Sequence, residues 1–348
     1  MYSFNEFIRE KPGTAQYKAM GELFLGLQNV QAIAGFFAKE DHTLSLMAAK
    51  PKYKSFYVPK SNGKKRLVED PTKALKKIQR KLGNHLQGVY YQRKPNAAYG
   101  FIPVPEDESH PRNIYTNACR HIGKNWVLNL DFSDFFHKIS NQHIRKLFVA
   151  PPFQFSKQAA KLLAGLTTYR KRLPMGAPTS PVLSNLVFLP LDLELEQLAA
   201  SSAWSYTRYA DDLTFSSQEP ISQETIQEMK EWLHQKGFSV NESKVKIRHK
   251  DELPEVTGLV LKQDQPDVSE AFLEGIRQDI QLHQLLATDR VVQQGMFQLK
   301  AIKKLEQSIV GQINFVEFIR GEYDPTAIQL NLMMYPEKQH RGQSDWHF

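Results

Sequence analysis

Residues 209–215 read YADDLTF, two adjacent aspartates between aromatic and apolar residues. Two like charges side by side in a buried element would repel. At the tip of a turn they are tolerated, because Asp favours turns through local side-chain hydrogen bonds. The flanks Trp204–Tyr209 and Leu213–Ser216 have the length and composition of strands, so the stretch predicts a β-hairpin with an acidic tip. A second apolar run, Trp126–Leu130, reads as a short buried strand, and it too ends on a carboxylate, Asp131. Taken singly, these are an ordinary turn and an ordinary strand end. Together they concentrate negative charge at one edge of a sheet, a conflict that a divalent cation resolves. Mg²⁺ takes hard oxygen ligands and often uses one or two carboxylates plus substrate phosphates. Two such ions about 3.5–4 Å apart can clamp the attacking and leaving oxygens of a phosphoryl transfer. Asp134 is expected to be aimed away from Asp131 and to be structural.

The surrounding segments set the fold class. Residues 53–58 and 65–70 can form strands joined through Ser61-Asn62-Gly63, and 72–87 a basic helix. LPMGAPTSP at 173–181 is a loop by its prolines and glycine. A helix should follow with Ser180 at the N-cap and Pro181 at N1, kinked or ended at Pro190. Ser222–Lys236 places Ile226, Met229 and Leu233 on one helical face and stops at Gly237. Short strands are expected at Phe238–Val240, Lys244–Ile247 and Val256–Leu261. Helices are expected over 1–50, over 141–170 with a break at Pro151-Pro152, and from Ser269 onward. The alternation in the middle predicts an α+β fold, one sheet covered by helices on one face.

Charge points to the partner. The chain of 348 residues carries a net +8, unevenly spread. Pro51–Lys94 holds 13 Lys and Arg against two acids, Glu69 and Asp70, a net of +11, so the remainder sums to −3. A solvated helical face is the plain explanation of such a run. Here Tyr53, Phe56, Tyr57, Tyr90 and Tyr91 are interleaved with the cations. Cations neutralise phosphates and rings stack on bases, so nucleic acid is favoured over an anionic membrane. No apolar run approaches the roughly 18 residues of a membrane span. The N-terminus lacks the basic-then-apolar order of a signal peptide. A single cysteine, Cys119, excludes an internal disulfide and a multi-cysteine metal site. A cytoplasmic protein is expected.

NLDFSDFF (129–136), LPMGAPTSP (173–181) and YADD (209–212), in that order and spacing, resemble the motif set of reverse transcriptases. The resemblance implies a right-hand polymerase with fingers, a palm (an antiparallel sheet backed by helices) and a helical thumb. It implies an RNA-directed DNA polymerase using dNTPs and two Mg²⁺ ions, with Mn²⁺ as the alternative. Asp131 and Asp211 would hold both metals, with Asp212 as the third acid. Phe136 occupies the position of a ring beneath the incoming sugar that excludes a 2′-hydroxyl. Without the motif it would be a core phenylalanine, as Phe132 and Phe135 are expected to be. Phe132 is nevertheless grouped with the nucleotide-binding residues by its place in the motif. Gly176 is small enough for backbone to approach a base pair closely, and Met175 stands where the family usually has Gln. Arg66, in RLVEDP, with Lys60, Lys64 or Lys65, would grip the triphosphate. Lys244 matches the position proposed to protonate departing pyrophosphate; a solvated lysine at a strand start is the plain alternative.

NACRH (117–121), VTGLVL (256–261) and AYGF (98–101) are similar to signatures of the retron reverse transcriptases. The resemblance covers roughly residues 50–265. It implies copying of a cognate structured noncoding RNA (msr-msd type), primed from the 2′-hydroxyl of an internal guanosine. The product would be a branched RNA–DNA molecule (msDNA) used in anti-phage defence. The short stretch after Arg320 implies a separate effector protein. Asn117 and His121 are expected to be structural or RNA-positioning, Thr257 and Gly258 to mark a bulge supporting the primer end, and Lys300, Lys303 and Lys304 to form an RNA-facing patch. The segment 102–113, IPVPEDESHPRN, is longer and more acidic than this pattern leads one to expect. The expected division is an N-terminal helical extension (1–50), fingers (51–125 with 141–172), palm (126–140 and 173–262), and thumb with RNA recognition (263–348). A group II intron-like or abortive-infection reverse transcriptase and a catalytically silent RNA-binding scaffold are the competing readings. Intact Asp131, Asp211, Asp212 and Arg66 argue against the scaffold. A two-metal nuclease would explain neither Phe136 nor the basic fingers.

Overall fold

The run WVLNLD forms the strand expected of it and lies inside a four-stranded sheet. The structure, a computed structural model, describes residues 12–59, 63–288 and 296–336. Lys60, Ser61 and Asn62 lie outside the described residues. The chain divides into two units, Met1–Lys250 and Asp251–Phe348. In order, the first holds α1 (Thr14–Leu25), α2 (Val30–Phe36), α3 (Asp41–Ala49), β1 (Tyr53–Pro59), β2 (Lys65–Pro71), α4 (Lys73–Tyr91), α5 (Ile114–Cys119), β3 (Trp126–Asp131), α6 (Phe135–Lys138), α7 (Asn141–Val149), α8 (Lys157–Thr167), α9 (Ser180–Ser201), β4 (Ser205–Tyr209), β5 (Asp212–Ser217), α10 (Gln223–Gln235) and β6 (Lys246–His249). The second holds β7 (Glu255–Val256), β8 (Leu259–Leu261), β9 (Pro266–Asp267), α11 (Glu270–Thr288), α12 (Met296–Arg320) and α13 (Pro325–Met334).

The main sheet is antiparallel throughout, in the order β4-β5-β3-β6. Its register pairs Leu128 with Phe215, Asn129 with Thr214 and Asp131 with Asp212. Side chains alternate across a strand, so the two faces can be read off. One carries Leu128, Leu130, Tyr206, Arg208, Leu213 and Phe215, all buried in the core. The other carries Asn129, Asp131, Thr207, Asp212, Thr214 and Ser216. One face is thus mostly apolar, with Arg208 as its exception, and the other mostly polar, with buried Val127 as its exception, within the α+β arrangement the sequence pattern predicts.

Helix α9 runs without a break through Pro190 to Ser201, where a kink or stop was expected. Proline removes one helical hydrogen bond; burial of Val182, Leu183, Leu186, Phe188 and Leu195 along the helix offsets that loss. Its cap is also shifted by one residue. Thr179 is the N-cap, and the Ser180 hydroxyl instead donates to the Pro174 carbonyl at 2.7 Å, tying down the preceding loop.

The acidic segment 102–113 has a local use. Helix α1 starts after Gly13, which offers no side-chain cap. Asp107 supplies one from a distance: its Oδ1 accepts from the Thr14 amide at 2.7 Å and from the Thr14 hydroxyl at 2.8 Å. Glu108 accepts from the Tyr91 hydroxyl, and Arg112 donates to the carbonyls of Pro95 and Ala98 at 2.7 Å each.

In the second unit, β7 and β8 pair Glu255 with Val260 and Val256 with Leu259, and Thr257-Gly258 is the two-residue turn between them. A single strand Val256–Leu261 with a bulge was expected. Thr257 at φ 51° and Gly258 at φ 82° instead give the primed hairpin turn, whose twist suits adjoining strands. Helices α11 and α12 bury Leu273, Ile276, Ile280, Ile309, Ile313 and Val316. Arg320 on α12 grips Asp267 through two bonds of 2.6 and 2.9 Å. Among the described residues, no helix is long and apolar enough to cross a membrane.

Candidate active site

The expected acidic hairpin is present, with Asp212 displaced from its tip. Asp212 is the first residue of β5, paired with Tyr209 on β4 and with Asp131 on β3. Ala210 and Asp211 form the two-residue turn. Ala210 sits at φ 59°, a region disfavoured for a residue with a Cβ. Neighbouring strands are about 4.8 Å apart, so the register alone brings Asp131 and Asp212 side by side, with Asp211 next to them. The Phe132 amide donates to the Asp211 carbonyl at 3.2 Å, and the Asn241 amide to the Asp131 carbonyl at 2.7 Å.

The AYGF segment fixes this turn from the side. It runs along β4, with Ala98 bridging Arg208, the Tyr99 amide donating to the Arg208 carbonyl at 2.8 Å and the Arg208 amide to the Ala97 carbonyl at 2.8 Å. A Cβ on Gly100 would lie 2.3 Å from the Ala210 nitrogen, so only glycine fits.

Charge in the site is unbalanced. Burial and then the Asp131 charge push the Asp211 carboxyl above the usual carboxylate range. Asp212 is pushed up to about 7 by desolvation, by its hydrogen bond with Asp131 and by the two neighbouring charges. The partner present is Lys244, whose ammonium lies 2.6 Å from Asp131 Oδ2. Burial opposes the lysine charge, yet the Asp131 hydrogen bond and the three carboxylates raise its pKa on balance. Lys244 thus stands in the place of a cation against Asp131. The donor set, carboxylate oxygens with a surplus of negative charge, fits a hard divalent ion. Among the described residues, no three His, Cys, Asp or Glu side chains form a closed metal cage. A centre completed by substrate phosphates does not require one.

Asp131 and Asp211 open onto a cleft of about 700 Å³ whose walls include Lys65, Arg66, Phe136, Met175 and Lys244. Residues from seven separate stretches of sequence meet there. Phe136 is half-buried with its ring centroid 5.9 Å from that of Phe101, a cleft residue the motif reading did not single out. Gly176, at φ 120°, also lines the cleft; a Cβ there would meet the Glu69 carbonyl at 3.0 Å. The loop holding Met175 and Gly176 is bound to β2, because the Glu69 amide donates to the Met175 carbonyl at 2.7 Å and buried Glu69 takes two bonds from Arg172, at 2.7 and 3.1 Å. Arg66 is three residues before Glu69 on the same strand, so this pair sets where the basic hairpin meets the loop.

Several expected site residues are placed otherwise. Phe132 borders the cleft, but its ring is 2% exposed and stacks on Phe135 at 5.5 Å; the core reading is the right one for its ring. Lys64 is exposed outside the cleft lining. Asn117 and His121 are 1% and 0% exposed, so neither side chain is available to touch RNA in this conformation. The His121 ring nitrogens pair with Ser216 Oγ at 2.7 Å and Thr207 Oγ1 at 2.8 Å, and burial, then the charges of Arg120 and Lys124, hold its pKa down to about 3. Of the aromatics among the N-terminal lysines, Phe56 and Tyr57 are exposed at 42% and 65%, whereas Tyr90 is buried and Tyr53 stacks on Tyr169. In the second unit Lys300, Lys303 and Lys304 are exposed on α12 at helical spacing, on one face.

The family model described as reverse transcriptase (RNA-dependent DNA polymerase) matches residues 58–296. The chain is 33% identical over 230 residues to the retron Mx65 reverse transcriptase of Myxococcus xanthus, covering 60% of this chain and 51% of that protein. It is 30% identical over 244 residues to the retron Ec86 reverse transcriptase of Escherichia coli, covering 68% of this chain and 72% of that one. The alignment therefore spans about half the length of the Myxococcus relative.

Proposed function

The chain belongs to the retron reverse transcriptases, within the reverse transcriptase family, and on that premise we propose that it is an active RNA-directed DNA polymerase. The observation that carries this reading is the meeting of Asp131, Asp211, Arg66 and Phe136 around one cleft. Asp131, Asp211 and Asp212 would hold divalent cations, two Mg²⁺ ions in the fullest form of the proposal. Held there, such ions would lower the pKa of the attacking hydroxyl and offset charge on the leaving phosphates. Arg66 and Lys65, across the cleft, bind the triphosphate, where a guanidinium fork suits phosphate oxygens. Phe136 closes the space beneath the sugar and excludes a 2′-hydroxyl. The Met175-Gly176 backbone borders the nascent base pair. Lys244, held cationic by its carboxylate neighbours, moves to the departing pyrophosphate and donates a proton to it.

The fingers comprise the β1–β2 ribbon and α4 with the helices around them, the palm is the four-stranded sheet with α9 and α10, and the thumb is built from α11–α13. The template is a cognate structured RNA, priming uses the 2′-hydroxyl of an internal guanosine, and the branched product serves anti-phage defence with a separate effector, in the cytoplasm. Thr257, Gly258, Lys300, Lys303 and Lys304 recognise that RNA. Asn117 and His121 support the sheet rather than touch it.

Sequencing the nucleic acid that copurifies with the full chain tests the retron part of the reading. One structured RNA joined 2′–5′ to single-stranded DNA is expected. Unbranched cDNA from many templates would favour a group II intron-like or abortive-infection enzyme. RNA without DNA would favour the silent scaffold.

A further inference from the structure

Beneath the acidic turn lies an ion pair with no access to solvent. Arg208, on β4, and Asp192, on α9, are both 0% exposed. Arg208 Nε donates to Asp192 Oδ1 at 2.8 Å, and Nη2 to Oδ2 at 2.5 Å. The Tyr206 hydroxyl donates to the same carboxylate at 2.9 Å. Burying two charges has a desolvation cost that their attraction often fails to offset, and an apolar pair of similar volume is commonly as stable. The pair is therefore poorly explained as a device for stability alone.

Its remaining bonds run to the active site. Arg208 Nη1 donates to the Ala210 carbonyl at 2.9 Å and to Asn185 Oδ1 at 3.0 Å. Asn185 Nδ2 in turn donates to the Gly100 carbonyl at 3.0 Å. Ala210 is the strained residue of the turn, and Gly100 is the residue pressed against it. One guanidinium thus fastens the turn to α9 from below, while Asn185 fastens to the same helix the backbone segment that supports the turn from the side.

We propose that Asp192, Arg208 and Asn185 are positioning residues for nucleotidyl transfer, which hold the Ala210-Asp211 turn so that Asp211 and Asp212 keep their place beside Asp131. The proposal rests on the polymerase reading given above. None of the three side chains lines the cleft, and they act through the backbone of the turn. Arg208 makes four bonds from one planar fork, whereas lysine, with the same charge, has three donors on one nitrogen and cannot reproduce all four.

The test is Arg208→Lys in the full-length chain, followed by hydrogen exchange of peptides covering 204–216 and 223–235 and by steady-state DNA synthesis on an RNA template. Exchange of amides in 209–213 should rise about tenfold while the α10 peptide stays within about twofold. The kcat should fall about 10- to 100-fold, because displacements near 1 Å are costly in a preorganised site, with KM for dNTP changed less than about threefold. Unchanged exchange and kcat in a folded variant would overturn the proposal. So would exchange rising equally in both peptides, which marks a merely structural pair. Asn185→Ala keeps the ion pair and removes the ties to Arg208 and Gly100, so it serves if the first variant does not fold, with the same local rise expected and the same outcomes contradicting it. If the parent chain makes no DNA at all, the polymerase reading fails, and exchange alone still decides whether this network holds the turn.

Discussion

The polar face of the main sheet ends in two different ways. At one end Asp131 and Asp212 face each other beside Asp211, with one lysine against three carboxylates. At the other end Thr207 and Ser216 are bridged by His121, fully buried, with both ring nitrogens satisfied. Both ends are polar residues on the same face of one sheet, and β5 contributes to each. Neutral groups that complete one another's hydrogen bonds can be sealed from water with little penalty. Charges left in surplus beside a cleft have no structural use, and burial and their neighbours push the Asp211 and Asp212 carboxyls up. Surplus charge therefore marks the working end, and satisfied polarity marks the supporting end.

That contrast can be broken at either end. Asp212→Asn should lower DNA synthesis by about a thousandfold or more, the scale of losing an essential electrostatic group, without lowering the melting temperature, since it relieves repulsion. Primer extension with thermal melting checks both. Also at the cleft end, Phe136→Val should let ribonucleotides in, reducing discrimination by roughly 10- to 100-fold, within what removal of one steric wall achieves. Competing dNTP and rNTP incorporation measures it, and an unchanged ratio would assign the gate to another residue. At the buried end His121→Ala should cost about 2–4 kcal/mol of stability by leaving two buried hydroxyls unpaired around a cavity, while synthesis per folded molecule stays near that of the parent. Denaturant unfolding beside activity separates these effects.

The same buried end can also be tested in acid. His121 has a folded pKa near 3 against an ordinary 6.5. A depressed pKa means that the unfolded chain binds the proton first, so the contribution of neutral His121 is fully present above pH 6.5 and is lost as pH falls toward 3. The loss approaches roughly 1.4 kcal/mol per pH unit inside that window. His121→Gln should flatten this slope in unfolding curves measured from pH 7 to 4, and an unaltered slope would mean that His121 takes up no proton on unfolding.

The sequence made the site legible where function rests on short, contiguous patterns. Asp131 at a strand end, the acid pair in a hairpin, the loop at 173–181 and Arg66 on a fingers-like strand are all recognisable from local spacing, and the fold unites most of them at one cleft. What it hid depends on partners far apart in the chain. Glu69 and Arg172 are 103 residues apart, and Asp107 caps a helix 93 residues away. The Arg208–Asp192 pair left one trace, a single cation in the strand SYTRY and two acids, Asp192 and Glu194, in the otherwise apolar run FLPLDLEL; a charge in such a run implies a buried counter-charge, but the run does not say which acid is the partner. His121 gave no such trace, because a histidine in a motif looks the same whether it faces RNA or a serine. Pro190 misled because its local cost is decided by tertiary packing, and Thr257-Gly258 because a two-residue turn can resemble a strand with a bulge.

The central claim is that the carboxylates are the cation site of a DNA polymerase. The most direct measurement is RNA-templated dNTP incorporation by the full chain and by Asp211→Asn over a Mg²⁺ titration, at matched circular dichroism and matched RNA binding. The account predicts robust, Mg²⁺-dependent synthesis by the parent and none above background by the variant at any Mg²⁺ concentration. Synthesis by Asp211→Asn at the parental rate and with the parental Mg²⁺ dependence would contradict it.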